Sequence, residues 1–335
     1  MPDLPPLRYL TSTDVTAVMP PLPERLALAE TVLRGLAGDA ELPPKIGVHP
    51  RPAGSFGHAM PAYLPGVDAS GAADRVGMKW VLAVSQNNEL GIPAIHATLL
   101  LNDPVTGVPT AIIDAGPITA ERTAATSGVA IRAWAPAVDG RAPRAAIIGA
   151  GVQGRSHVPV IGHVLPGVRL AVFDRDPARA EALAAFARTV DGIDGAAAAP
   201  DARSAVAGAD VVVSAASFVA PPERQVMTGD WLGTETLIVP VDYATYCAAS
   251  VARDAALFVV DHRDQFLANR EAGQFDGYPD PAAMFGEALD TTSGPNRPAG
   301  RVVATHLGTG LADVVFGSAF LAAAEAAGHG TILPR

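Results

Sequence analysis

Cysteine is nearly absent. Cys247 stands alone in 335 residues, which excludes an intramolecular disulfide framework and makes a cytoplasmic setting the expectation. His-Glu-x-x-His and Cys-x-x-Cys are both missing and the eight histidines are scattered, so no metal site is expected. Lys and Arg never gather into a block, and 34 acidic residues outnumber 24 basic ones for a net charge of −10. That balance argues against a nucleic-acid groove or an anionic membrane as partner. No apolar run reaches the ~18 residues that a bilayer span needs. The start, "MPDLPPLRYL", lacks the basic stretch and apolar core of a leader. With only 17% charged residues against 49% hydrophobic ones, the chain has enough apolar material for two full cores and little of the composition that keeps a chain disordered.

What is there divides by element spacing. Apolar residues at helical intervals over 20–36 predict one helix. The strand-like runs "KIGVH", "MPAYL", "VGMKWVLAV", "ATLLLND" and "PTAIIDA" follow, separated by turn sequences such as "NDPVTG" at 102–107. Several strands in succession with one helix describe a largely antiparallel α+β domain. "GPITAERTAATSGVAIRAWA" reads as one long helix with Pro117 near its start. From Arg144 strands and helices alternate through "RAAIIGA", "RLAVFD", "ADVVVSAA", "TLIVPVD" and "ALFVVD". The helices are 152–165, "DPARAEALAAFAR" and one near 201–207. Such alternation predicts a parallel sheet covered on both faces. "GIDGAAAAPDARSA" reads as a loop and a helix start, and 305–330 as a single amphipathic helix after a glycine-rich turn. The fold class is therefore α/β: a Rossmann dinucleotide-binding domain over 131–304, and an α+β substrate and dimerisation domain over 1–130 with the returning segment 305–335.

The chemistry begins at "RAAIIGAGVQGRSHV". Gly149-x-Gly151-x-x-Gly154 has a strand before it and a helix after it, and an acid, Asp174, lies twenty residues beyond Gly154. These are the three features that a dinucleotide fingerprint requires. Gly149 suits the tight turn, Gly151 the close approach of a pyrophosphate, and Gly154 the packing of helix on strand. Unpaired N–H groups at Val152, Gln153 and Gly154 would face the phosphates. Asp174 ends its strand where a carboxylate accepts hydrogen bonds from the adenosine ribose and repels a 2′-phosphate, which favours NAD over NADP. Arg175, next in sequence, softens that preference. A solvated strand-end carboxylate is the plainer reading of Asp174.

"GMKWV", "DPVTGVPTAIIDAGPITAERTAATSGVA" and "IIGAGVQGRSH", with "HLGTGLAD" and "GHGTILP" near the end, resemble the ornithine cyclodeaminase/mu-crystallin family over most of the chain. The resemblance implies a cytoplasmic, NAD-dependent homodimer acting on the Cα–N bond of a small amino or imino acid. Cyclodeaminases, ketimine reductases, alanine dehydrogenases and iminosuccinate reductase are its known forms, and some mu-crystallin-like members bind cofactor and ligand without catalysis. It implies that Lys79 and Arg122 hold the substrate carboxylate, with Lys45 where cyclodeaminases carry an arginine. Leu307 and Gly308 would line the substrate and the nicotinamide. Thr123 and Ala215 would join the glycine loop, Asp174 and Arg175 in binding cofactor. Asp242 would handle the proton on the substrate nitrogen, with Lys79 beside it in the catalytic set. The Gly-Lys-Thr-Glu-Leu that follows this aspartate in ornithine enzymes is absent here, and Ala312 stands where an acid is common in the family. From the residues alone, Lys79 reads equally as a solvated strand position, Arg122 as a surface pair, and Asp242 as a helix N-cap. His96 and His306 read as structural and Cys247 as inert core.

Overall fold

The computed structural model describes residues 4–66, 71, 73–289 and 297–335. The chain forms two compact units, Met1–Arg122 with Gly308–Arg335, and Thr123–Leu307.

The first unit opens with strand Leu7–Leu10 (β1) and helices Ser12–Ala17 (α1) and Leu22–Ala37 (α2). Thr11 and Asp14 cap α1 reciprocally, satisfying two otherwise unpaired N–H groups. Strands Ile46–Val48 (β2), Phe56–Leu64 (β3), Arg75–Ala83 (β4), Ile95–Asn102 (β5) and Pro109–Asp114 (β6) follow, and helix Gly116–Trp134 (α3) carries the chain from one unit into the other.

The second unit contains Arg144–Ile148 (β7), Val152–Val164 (α4), Val168–Phe173 (β8), Pro177–Ala187 (α5), Ile193–Ala198 (β9), Ala202–Val206 (α6) and Val211–Ser214 (β10). Leu237–Pro240 (β11), Ala249–Arg253 (α7), Leu257–Val260 (β12), Arg263–Glu271 (α8), Ala283–Met284 (β13), Phe285–Leu289 (α9) and Val302–Thr305 (β14) complete it. Helix Gly310–Ala327 (α10) and strand Thr331–Leu333 (β15) return to the first unit.

The first sheet runs β15-β1-β6-β5-β4-β3-β2 and is antiparallel apart from the β1–β6 pair. Strand side chains alternate between faces, so register assigns them. Met60, Lys79, Leu99 and Ile113 form one row across β3, β4, β5 and β6, and all four are buried. α10 lies against β3, β4 and β5. Ile46, Ala59, Trp80 and Thr98 form a row on the other face.

The second sheet runs β13-β12-β14-β11-β10-β7-β8-β9 with every pair parallel. Strand order reverses at β7, between β8 and β10. Open α/β sheets bind ligands outside the carboxyl ends of the strands at such a switch point.

Several sequence expectations change. The Ala-rich segment holds a strand, β9, rather than a loop. Alanine and glycine have weak strand propensity, and β9 is held by edge pairing to β8. The segment 305–330 is not one amphipathic helix. Thr305 ends β14, which inserts between β11 and β12, and the first eight residues of α10 are buried. By length and composition α10 could cross a bilayer, contrary to the apolar-run reading, but 56% of it is buried within the protein, as for a core helix. β1 and β15, too short and mixed to stand out, pair with each other.

At the β7–α4 turn, a Cβ on Gly154 would lie 2.0 Å from the Gly149 carbonyl oxygen, whereas one on Gly151 would meet nothing within 4 Å. Gly154→Ala is expected to cost about 3 kcal/mol, because the obstacle is backbone that cannot swing aside. Gly151→Ala should leave stability unchanged, with urea titrations of the two variants as the measurement.

Candidate active site

In the first unit, Lys79 is the one charged member of the buried Met60–Lys79–Leu99–Ile113 row, with 2% of its surface exposed. Its ammonium lies 2.6 Å from Asp313 Oδ2 and 3.4 Å from Thr119 Oγ1. A solvated or edge-guarding lysine is excluded. Burial pushes its pKa down to about 8, and the charges of Arg122 and Lys45 act in the same direction, while Asp313 opposes them.

Arg122, near the middle of α3, is equally far from a surface pair. It is buried, and its Nε donates to Asp313 Oδ1 at 3.2 Å. Gly308 has φ +73°, and a Cβ there would lie 2.3 Å from Arg122 Nη1. The left-handed backbone and the guanidinium both demand glycine. The terminal nitrogens of the fork are thus not covered by a side chain from position 308. Lys45 is half-buried just before β2. Its charge, after burial, helps hold His58 down at about 4, with His49 and Lys79 adding to the effect.

Asp313 is the residue that sequence reasoning missed. It stands one place beyond Ala312, wholly buried in α10 and paired to both cations. Its signal was present: a single carboxylate inside "GLADVVFGSAFLAAA" has no reason to be there unless a cation meets it.

In the second unit, Gly149 takes φ +101°, and a Cβ on it would strike the Ala215 carbonyl oxygen at 2.4 Å. The ends of β7 and β10 therefore meet at the switch point. Gly151 is the N-cap of α4 and supplies no side-chain cap. The space beside it is the cradle that a side chain would fill, as a pyrophosphate-binding turn requires. Val152 is exposed on the first turn and Gln153 is half-buried. Asp174 is not a merely solvated carboxylate. Its Oδ2 accepts from the Ala150 N–H at 2.7 Å, and its Oδ1 from the Asp176 N–H at 2.9 Å, so the glycine turn itself orients it. Arg175 is exposed beside it, and Thr123 is buried on α3. Leu307, buried, donates its N–H to Asp261 Oδ2 at 3.0 Å.

Asp242 lies just past β11 with 2% exposure. Its Oδ1 accepts from Ser214 Oγ at 2.8 Å and its Oδ2 from the Ala216 N–H at 3.1 Å. The next helix, α7, starts at Ala249 behind Ala248, which removes the N-cap reading. Burial raises its pKa to about 7 against the lowering effect of these hydrogen bonds. A carboxyl poised there can take or give a proton near neutrality. Tyr243, next to it, sits at φ +58° with its ring between those of Phe218 and Phe275. Among the described residues, no group of three or more His, Cys, Asp or Glu could hold a metal ion.

Asp313→Asn would remove the negative charge that lies 2.6 Å from Lys79 and 3.2 Å from Arg122, a loss of about 3–5 kcal/mol. Lys79 has a depressed folded pKa, so the unfolded chain binds the extra proton and stability rises with pH. Without Asp313 that pKa falls further. The measured deficit should therefore narrow as pH rises towards 8.

Comparison with known proteins follows this geometry. Residues 13–280 match the ornithine cyclodeaminase/mu-crystallin family. The chain is 33% identical over 333 residues to the nodulation efficiency protein NfeD of Rhizobium meliloti, covering 98% of each. Among solved structures, a lysine cyclodeaminase whose structure concerns recognition of L-lysine, L-ornithine and L-2,4-diaminobutyric acid superposes with a TM-score of 0.81 at 25% identity, over 98% of this chain and 96% of that one. The Δ1-pyrroline-2-carboxylate reductase of Thermococcus litoralis, in complex with NADH and L-proline, superposes with a TM-score of 0.83 at 24% identity, over 97% and 100%. The second likeness concerns the fold alone. Together with the family match over most of its length, these findings establish that the chain belongs to the ornithine cyclodeaminase/mu-crystallin family.

Proposed function

We propose that this protein is an NAD-dependent enzyme acting on the Cα–N bond of a small amino or imino acid. The observation that carries the reading is Asp242: a buried carboxyl, held by two hydrogen bonds at the carboxyl end of a dinucleotide-binding sheet and raised to about 7. The glycine loop and α4 would hold the pyrophosphate, Asp174 the adenosine ribose, and Thr123, Ala215 and Arg175 the rest of the dinucleotide. When bound, NAD accepts a hydride from Cα or, as NADH, returns one.

The chain's own residues do the remainder. Arg122 presents a planar fork to the substrate carboxylate, and Lys79 and Lys45 add point charges. Asp313 keeps the first two cations charged and fixed. Leu307 and Gly308 bound the substrate, Gly308 by placing no side chain against Arg122. Asp242 takes the proton from the substrate nitrogen on oxidation and gives it on reduction. The residues after Asp242, Tyr243 to Cys247, carry no charge, which favours an imine reductase or amino-acid dehydrogenase over an enzyme that must handle a distal ammonium. A cyclodeaminase would release ammonia without net NADH; a reductase would consume NADH with an imino acid. Following both signals over a substrate panel decides between them.

The second copy in a homodimer would meet the outer face of the first sheet, where Ile46, Val48 and Trp80 are exposed, an apolar patch on and beside an edge strand. The setting is cytoplasmic in this reading.

Two tests follow. Gly151→Ala should weaken NADH at least about tenfold by titration, because its Cβ enters the cradle of the phosphates. NADH binding equal to that of the unmodified protein would remove the loop from the site. Asp242→Asn should lower turnover by roughly 10²–10⁴-fold. In the unmodified enzyme the oxidative rate should rise with pH through about 7 and the reductive rate fall, since one direction needs the carboxylate and the other the acid. The same group has a folded pKa above its unfolded value, so its burial lowers stability as pH rises from about 4 to 7. Asp242→Asn should be at least as stable as the unmodified protein at pH 8. A less stable, active variant would return Asp242 to a structural role.

A further inference from the structure

Behind the glycine loop, within the second unit, lies a buried polar chain that the proposed chemistry does not use. His157 on α4, Ser127 on α3 and His306 just past β14 are buried to 2% exposure or less. Ser127 Oγ is 2.8 Å from His157 Nε2 and 2.8 Å from His306 Nε2. His157 Nδ1 is 2.6 Å from the backbone oxygen of Gln153, in the first turn of the helix that the glycine loop opens. The ring of His306 meets Phe285 edge to face.

Donor and acceptor chemistry orders this chain. The Gln153 oxygen can only accept, so His157 Nδ1 carries a hydrogen. Burial holds the His157 pKa down near 4, so the ring is neutral and its Nε2 is bare. Ser127 has one hydrogen and must donate it to that nitrogen. Its oxygen then accepts from His306 Nε2–H. The polarity therefore runs from His306 Nε2 through Ser127 and His157 to the carbonyl of Gln153.

We propose that His306, Ser127 and His157 are positioning residues that set the first turn of α4 for the dinucleotide phosphates. This role rests on the NAD reading above. Three segments that would touch the cofactor are tied by it: Gln153 follows Gly151 and Val152, Ser127 stands one helical turn from Thr123 on the same face of α3, and His306 precedes Leu307. A buried network of this kind is rigid when every member is satisfied and destabilising when one is missing. Ser127 is the member whose loss strands both imidazole nitrogens while changing little volume.

The test has two arms. Nitrogen-15 spectra of histidine-labelled protein should show His157 protonated at Nδ1 only and His306 carrying a hydrogen at Nε2, each ring assigned by loss of signal in His157→Gln and His306→Gln. Finding His157 protonated at Nε2, or His306 bare at Nε2, would overturn the ordered chain. Ser127→Ala should raise the Kd for NADH about tenfold with the substrate KM at saturating NADH within twofold, and Ser127→Thr, which keeps the hydroxyl, should restore most of the affinity. A folded Ser127→Ala with a lower Tm but an unchanged NADH Kd would make the chain structural only and overturn the positioning role. Should Ser127→Ala fail to fold, Ser127→Thr against the unmodified protein carries the affinity arm, and Kd rising tenfold despite the retained hydroxyl would count against the proposal. Failure of the unmodified protein to bind NADH would instead overturn the cofactor reading and the positioning role with it, while leaving the tautomer result standing.

Discussion

Lys79, Arg122 and Asp313 each have less than a tenth of their surface in water, so none of them can rely on solvent to offset its charge. Two cations and one anion at this depth leave a surplus positive charge. Coulomb attraction inside a protein offsets the desolvation of such ions only when the geometry is close and the hydrogen-bonding capacity is used. The contacts of 2.6 and 3.2 Å to the two oxygens of one carboxylate meet the requirement of closeness, the first as an ion pair and the second as a hydrogen bond from Arg122 Nε. Much of the first unit's architecture serves this arrangement: β4 places Lys79 on the covered face, α10 brings Asp313 down on it, and the glycine at 308 gives the guanidinium its room. A surplus positive charge in a fixed frame is what binds a carboxylate with orientation.

The second unit solves a different problem, which is to hold an anion with backbone. Gly149 and Gly154 are required by contacts within the protein itself, with the Ala215 and Gly149 carbonyl oxygens. Gly151 is required by none of them. A glycine whose missing side chain leaves open space at a helix N-terminus is explained by what comes to occupy that space. Asp174 is hydrogen-bonded to the N–H of Ala150 inside the loop, so in the proposed reading the phosphate turn and the ribose position would belong to one local structure.

The elements that were legible in the sequence are those whose pattern is set locally. β7, α4 and β8 follow from apolar runs and glycine spacing, and β3 to β6 from strand runs with turns between them. Asp313 showed in the sequence as a lone acid in an apolar helix, but its partner was not legible, nor was the histidine chain, because the contacts reach 191 and 179 residues along the chain. Resemblance supplied Lys79, Arg122 and Asp242 as candidates; it did not supply their burial, which is what separates them from a solvated lysine, a surface arginine and a helix cap. β9 was missed for the opposite reason. Its alanines carry little local preference, and pairing to β8 decides their conformation. β14 was lost because "VVAT" runs straight on into the glycine turn and helix, so one long apolar stretch concealed a strand and a change of unit.

Asp242 shows how the two physical themes meet in one residue. Its carboxyl is desolvated like the ions of the first unit, but it has hydrogen bonds in place of a counter-ion: the Ser214 hydroxyl and the Ala216 N–H. Those bonds favour the charged form and burial opposes it; burial wins by enough to bring the group to about 7. A cation in that place would have held the carboxylate ionised and unable to give a proton at neutral pH, and a fully apolar pocket would have kept it protonated and unable to take one. Partial compensation by neutral donors leaves both proton states accessible near neutrality, which is what the proposed role at the substrate nitrogen would require in either direction.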